Sequence, residues 1–224
     1  MLDWNHLLAE KICSDDFCFK SFEQLQKWQR QRLAGNFSDL MEQESYRRAC
    51  DFFLSELYGG LDFLQRDQDV NRVMPVMERL LPDKTLMSLG EAFELQAISL
   101  EFDMKMARIM ESNAVGELDV PVYISVYQAC GDRPKREKQI LLIRQLGIDL
   151  TRLVDKPLVT RLVRLTRGPA HAAGFGKLQN FLETGLVSFR ELEDSAFFVE
   201  TIYQREWKTM QMLFASDNDP IKKG

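Results

Sequence analysis

The chain has 224 residues, 45% of them hydrophobic and 28% charged, with a formal net charge of −5. That composition suits one folded domain with a buried core and argues against disorder. The negative balance gives no electrostatic footprint for nucleic acid, and no run of about 18 apolar residues is present to span a membrane.

The start, Met1-Leu2-Asp3-Trp4-Asn5-His6, lacks the basic region and apolar core of a secretory signal. The four cysteines, Cys13, Cys18, Cys50 and Cys130, contain no Cys-x-x-Cys. They read as reduced thiols of a cytoplasmic protein, not as a zinc site or a disulfide frame. No linker, repeat or low-complexity run divides the chain. The expectation is a single domain over 1–215 with a flexible tail over 216–224.

Helical period runs through nearly every segment. Leu2–Cys13 carries Trp4, Leu7, Leu8 and Ile12 on one stripe, and Phe19–Leu33 carries Phe22, Leu25 and Trp28. Ser38 suits an N-cap, and the helix behind it should run to Tyr58 and stop at Gly59-Gly60. A shorter helix is expected over Val70–Leu81. Leu86–Met110 follows. Val120–Cys130 starts near Pro121 and ends at Gly131-Asp132, where Pro134 opens a helix to about Val154. Leu158–Thr166 is a short helix. Pro169 starts another, running to a cap at Gly185, whole or broken at Gly174-Phe175-Gly176. A turn over Leu186–Leu192 leads to a last helix over Ala196–Phe214. No stretch shows clean period-two alternation, so the fold class is all-α, with eight to ten helices in one irregular multi-helix domain.

The stretch 86–110 is the predicted centre. At about 100° per residue, Leu86, Leu89, Phe93, Ala97, Leu100, Met104 and Ala107 fall on one face. Met87, Leu95, Ile98, Phe102, Met106 and Ile109 fall on the opposite face. A helix apolar on two sides is packed on both. Two polar seams separate the faces: Glu94, Glu101, Lys105 and Arg108 form one, and Gln96, Ser99 and Asp103 form the other.

Charge is unevenly spread. Residues 131–167 hold ten Lys/Arg against four Asp/Glu, and Arg161, Arg164 and Arg167 recur at helical spacing. This is either a solvated face paired with acidic neighbours or a surface that binds an anion or docks a partner. Glu94 and Glu101 share a seam with two cations, which suits ion pairing. A di-iron centre would need Glu-x-x-His, and neither His6 nor His171 follows a Glu by three. His171 is expected in the first turn of the Pro169 helix, at the positive end of its dipole.

Around the stretch Ala49–Gly60, Tyr46, Cys50, Phe53 and Leu57 mark an apolar stripe, and Glu56 sits on its edge. A carboxylate there needs either a cation or a proton. The string Phe52-Phe53-Leu54-Ser55-Glu56-Leu57-Tyr58 resembles the signature of the FFLEELY family, bacterial proteins with no assigned function. Ser55 departs from the usual Glu. The resemblance extends to Arg66-Asp67, Leu81-Pro82, Arg136 with Gln139-Ile140, Arg167-Gly168-Pro169-Ala170, Ala173-Gly174-Phe175-Gly176, the run Leu178 to Gly185, and Arg205-Glu206. It implies a bacterial origin and no reaction.

Arg66-Asp67, Arg167 and Arg205-Glu206 are compact charged groups in apolar sequence, suited to structural ion pairs. Alternatively, Arg167 or Arg205 grips a ligand's carboxylate or phosphate. Candidate ligand-binding residues are therefore Glu56, Arg66, Asp67, Glu94, Glu101, Arg167, His171 and Arg205. No catalytic residue, metal ligand or cofactor is predicted. By size and helix count the chain is similar to haem-oxygenase-like folds, thiaminase-II relatives included. The leading expectation is non-catalytic binding of a small apolar or anionic ligand between helices, lined by the Met-rich stretch Met87, Met104, Met106 and Met110. The alternatives are a homodimeric interaction module and an enzyme of the haem-oxygenase-like group.

Overall fold

The computed structural model describes residues 17–57, 83–174 and 176–216, apart from the side chains of Glu56, Leu57, 83–86, Leu89, Leu158, Leu162, Lys177 and Leu178. The predicted helices over Leu2–Cys13 and Val70–Leu81, the stop at Gly59-Gly60, Arg66-Asp67 and the tail beyond Ser216 lie outside the described residues.

Every regular element described is a helix: α1 (Phe19–Asn36), α2 (Ser38–Met41), α3 (Glu44–Phe52), a π-helical turn (Phe53–Leu57), α4 (Asp83–Ser112), α5 (Val120–Cys130), α6 (Arg133–Val154), α7 (Pro157–Ala172), α8 (Gly176–Arg190) and α9 (Ser195–Ala215). The fold is all-α, one irregular helical domain.

The central helix behaves as its two-faced pattern requires. Phe93, Ala97, Met104 and Ala107 are buried along one side of α4, and Leu95, Ile98, Phe102 and Met106 along the other. The first side joins Phe22 of α1 in a small cluster. The second joins Leu25 of α1, Tyr123, Val126 and Tyr127 of α5, Ile140 and Leu142 of α6 and Met210 of α9 in the larger core. Met87 departs from the pattern: it is 69% exposed. Met104, Met106 and Met110 are packed core, each buried to 4% exposure or less.

A second core gathers the end of α1, α2, α3, the far half of α6, and α7 to α9 around Leu33, Phe37, Phe52, Phe189 and Phe198. α6 connects the two cores, packing on α4, α9 and α8 and meeting α4 from Lys135 at Glu101 to Asp149 at Ser88.

Element ends follow side-chain chemistry. Asp119 caps α5 by accepting from the Val122 amide, Asp132 caps α6 by accepting from Lys135, and Asp194 caps α9 by accepting from Phe197. Proline occupies the first turn of α5 and α6, where its missing N–H is no loss. Gly131 closes α5 at φ 66°.

Four expectations are corrected. The single helix expected from Ser38 is three elements: Ser38 Oγ donates back to Gly35 O instead of capping, and Gln43 is extended at φ −90°, ψ 123°. Arg47 Nε satisfies the Met41 carbonyl exposed by that break. Pro169 does not begin a helix but lies inside α7. The residue before a proline resists helical geometry because its Cβ meets the ring. Here that residue is Gly168, which has no Cβ. Gly185 is not a cap; it lies within α8, where an added Cβ would stand 2.8 Å from Phe52 Cζ. The true cap between α7 and α8 is Gly174, at φ 86°. Finally, Ser216, expected in the frayed tail, is tied down: its carbonyl accepts from Gln128 Nε2 at 2.7 Å.

Candidate functional site

The predicted site residues do not converge. The side chain of Glu56, and Arg66-Asp67, lie outside the described residues. Arg205 forks onto the Asp39 carboxylate at 2.6 and 2.7 Å and also reaches the Asn36 carbonyl. It holds the Asp39 carboxyl below the usual carboxylate range and ties α9 to the α1–α2 corner. Its neighbour Glu206 is gripped by Arg32 of α1 through two hydrogen bonds of 2.9 and 3.1 Å. Arg167 is mostly exposed and stands 3.5 Å from Glu183. His171 is exposed in the last turn of α7, not in a first turn, because the helix runs on through Pro169. The positive helix end invoked for it is therefore at Pro157, the opposite end of α7. Its imidazole covers Gly176, where a Cβ would stand 2.7 Å from Nδ1.

Glu94 and Glu101 do share a site. They line an open groove of about 580 Å³ between α4 and the start of α6, with Ala97, Ile98, Asp132, Pro134, Lys135 and Lys138. Their partners are not the seam cations Lys105 and Arg108. Lys135 bonds Glu101 at 2.6 Å and Lys138 bonds Glu94, both from α6. Lys105 instead donates to the Cys130 carbonyl at the end of α5. Both ion pairs are partly exposed, so each contributes little to stability.

Beneath the groove lies a polar centre built by the second seam of α4. Ser99 accepts from Gln139 Nε2 at 2.7 Å, and Asp103 accepts from Gln29 Nε2 of α1 at 3.1 Å. Burial pushes the Asp103 carboxyl up to about 6, against the opposing pull of Gln29 and the Arg136 charge. Burial likewise raises Tyr127 to about 12 and raises Tyr123, so both phenols keep their protons. It raises the Cys130 thiol too, with the Arg136 charge pulling the other way. Trp28 stacks on Tyr123 at 3.9 Å.

Arg136, in the first turn of α6, is 6% exposed. Its guanidinium carbon lies 3.5 Å from the Phe102 ring centre and 4.4 Å from that of Tyr127, an arrangement that favours a desolvated cation. Nη1 donates to Gln139 Oε1 at 3.3 Å and Nη2 to Met106 Sδ at 3.2 Å. Nε donates to nothing. Among the described residues no carboxylate forms an ion pair with it. A buried cation needs compensation, so this is the chemically unfinished position in the described structure.

In the sequence, Arg136 and Gln139 stand out only as part of a resemblance. The usable signal was the seam Gln96, Ser99, Asp103, polar residues running between two apolar faces. Among the described residues no group of three or more His, Cys, Asp or Glu is assembled as a metal would require, and no described helix is long and apolar enough to cross a membrane.

No curated protein and no solved structure matches the chain. One family model does, over residues 13–220, and its span takes in every element from α1 to α9 together with the groove and the Arg136 centre. The chain therefore belongs to the family described as Domain of unknown function (DUF8198).

Proposed function

We propose that this protein binds a small anionic ligand between its helices without transforming it, with Arg136 as the anchor. The observation that supports this is the unsatisfied Nε–H of a guanidinium that is 6% exposed and has no carboxylate partner among the described residues. Buried polar groups are almost always hydrogen-bonded, and an exception calls for an unseen water, an ion or a role. An anion drawn from solution would supply the missing acceptor and would add to the charge that Asp103 offers Arg136 once it ionises above about pH 6. The groove lined by Glu94, Glu101, Lys135 and Lys138 lies one ring away, since Phe102 is also 6.0 Å from Lys135 Nζ.

The test is a native mass spectrum of freshly purified protein, with thermal unfolding in the presence of sodium formate, acetate, phosphate and sulfate. A saturable stabilisation by at least one anion, absent from Arg136→Met, is expected. If no anion stabilises the wild type more than the variant and no mass excess is retained, the reading is overturned.

A second reading, association with another protein, is favoured by one feature. α7 carries no acidic residue, and its outer face shows Arg161, Arg164 and a Leu165 that is 75% exposed. Sedimentation velocity of the wild type and Leu165→Asp tests it: a self-associated species that the variant loses would support a contact through this face, and a monomeric wild type would remove self-association.

A further inference from the structure

We infer that α7 docks this protein on an anionic lipid bilayer, with its arginines at the headgroups and Leu165 at the boundary with the acyl chains. This is independent of anion binding at Arg136, and it gives the exposed face of α7 an occupant other than a protein.

α7 packs chiefly on α8 and less on α6, and half-buried Val159 and Val163 face the second core. At about 100° per residue the other side of the helix divides in two. Arg167, Arg164 and Arg161 form one strip, and Ala172, Leu165 and Pro169 form the strip beside it. All six are exposed, Leu165 to 75%. Every residue from Arg164 to Pro169 is exposed. That is more than a full turn, so this half of the helix stands proud of the body.

The charge on this helix is one-signed. The chain has no Asp or Glu from Lys156 to Leu182. Among the described residues neither Arg161 nor Arg164 forms an ion pair, and Arg167 stands 3.5 Å from Glu183. Exposed Arg190 of α8 adds a cation alongside, donating to Thr160 of α7, while its neighbour Glu191 is taken up by Arg48. A cationic strip beside an exposed apolar one is the pattern of a helix lying in a membrane interface. Each basic residue adds to the attraction of anionic headgroups.

Other occupants fit less well. A two-fold contact between copies sets the arginine strip against itself or against the apolar strip, with no anion in either case. A different protein would have to close around a convex cylinder. α7 has 16 residues, so it is about 24 Å long and about 10 Å across. That footprint falls well short of the roughly 800 Å² per partner of a stable interface. A fluid bilayer adapts to a convex surface.

The experiment is co-sedimentation of the full chain with vesicles of phosphatidylcholine alone, or with about 30% phosphatidylserine, at about 0.1 M and about 0.5 M salt. Wild type is expected to bind the mixed vesicles at low salt. Partitioning should be weaker by about tenfold or more on phosphatidylcholine alone and at high salt. Arg161→Glu with Arg164→Glu should abolish binding, and Leu165→Asp should weaken it by about tenfold or more. The same charge change at Lys27 and Lys208, exposed on α1 and α9, should leave binding within about twofold. All these side chains are exposed, so circular dichroism and melting should match wild type in every variant. If the Lys27 and Lys208 pair loses binding as the α7 pair does, docking by α7 is overturned. It is overturned equally if wild type does not pellet with the mixed vesicles, whether or not it self-associates through Leu165.

Discussion

Gly147 offers a sharp test of how α6 and α9 pack. A Cβ added there would stand 2.8 and 2.9 Å from the two γ-methyls of Val199 and 3.4 Å from its Cβ. Ordinary carbon contacts lie at about 3.5–4.0 Å, so each methyl is overlapped by roughly 0.6 Å or more relative to that range. Val199 is buried and, being β-branched, has little freedom at χ1. Overpacking of this kind costs about 1–3 kcal/mol, against about 1 kcal/mol gained by removing a mid-helix glycine. Gly147→Ala should therefore destabilise by up to about 2 kcal/mol net, or by up to about 8 °C in melting temperature at this chain length. Gly90, mid-helix in α4 with nothing within 4 Å of where a Cβ would stand, is the control: Gly90→Ala should stabilise by about 0.5–1 kcal/mol. Val199→Ala alone should cost about 2 kcal/mol. In the double variant the new methyl fills the space the old ones leave, giving a coupling of about 1 kcal/mol or more in a urea-unfolding cycle at unchanged m-value. A Gly147→Ala protein stabilised as much as Gly90→Ala, or strict additivity in the cycle, would refute the packing argument.

The remaining predictions concern polar groups. Asp103 keeps its proton in the folded state up to about pH 6, while the unfolded chain gives it up near pH 4, so the folded state binds more protons between those values and stability falls as pH rises through them. Relative to Asp103→Asn, wild type should lose up to about 3 kcal/mol between pH 4 and pH 7; a pH-independent difference between the two would reject the buried placement. Glu206→Ala should cost about 3 kcal/mol, because it leaves the largely buried Arg32 without its forked partner. Arg205→Met should cost under about 1 kcal/mol, since the Asp39 pair is open to water; equal losses in denaturant titrations would contradict that ranking. Gln179→Leu strips the bonds that buried Gln179 makes to the Val163 carbonyl and to Glu183. It should lower stability by about 1–3 kcal/mol, and an unchanged melting temperature would count against that role.

Much of the helical layout could be read from residues whose chemistry is local. Pro121, and Gly131-Asp132 with Pro134, mark ends of α5 and α6 because such signals depend on the residue and its own turn. The two-sided burial of α4 followed from period alone. What could not be read was decided by partners distant in sequence or by bonds that carry no period. The break at Gln43 is held by the bonds of Arg47 and Gln43 to backbone carbonyls, which leave no trace in hydrophobic period. Gly185 looks like a terminator but answers to Phe52, 133 positions earlier. Pro169 reads as a helix start until Gly168 is considered. At the site, Glu94 and Glu101 were visible as carboxylates in a seam, but their cations come from α6 and not from their own helix. Arg136 looked like one basic residue among ten in 131–167; only the tertiary arrangement places Phe102, Tyr127 and Met106 around it.

The two opposed buried flanks of α4 also restrict how it can move. Rolling the cylinder about its own axis would drag Met104 and Ala107 out of one cluster and Phe102 and Met106 out of the other at once. Gliding lengthwise would shear the bonds that Ser99 and Asp103 accept from Gln139 and Gln29 on neighbouring helices. The cylinder is pinned against roll and slide alike, a fixed spar around which other parts of the molecule must do the moving.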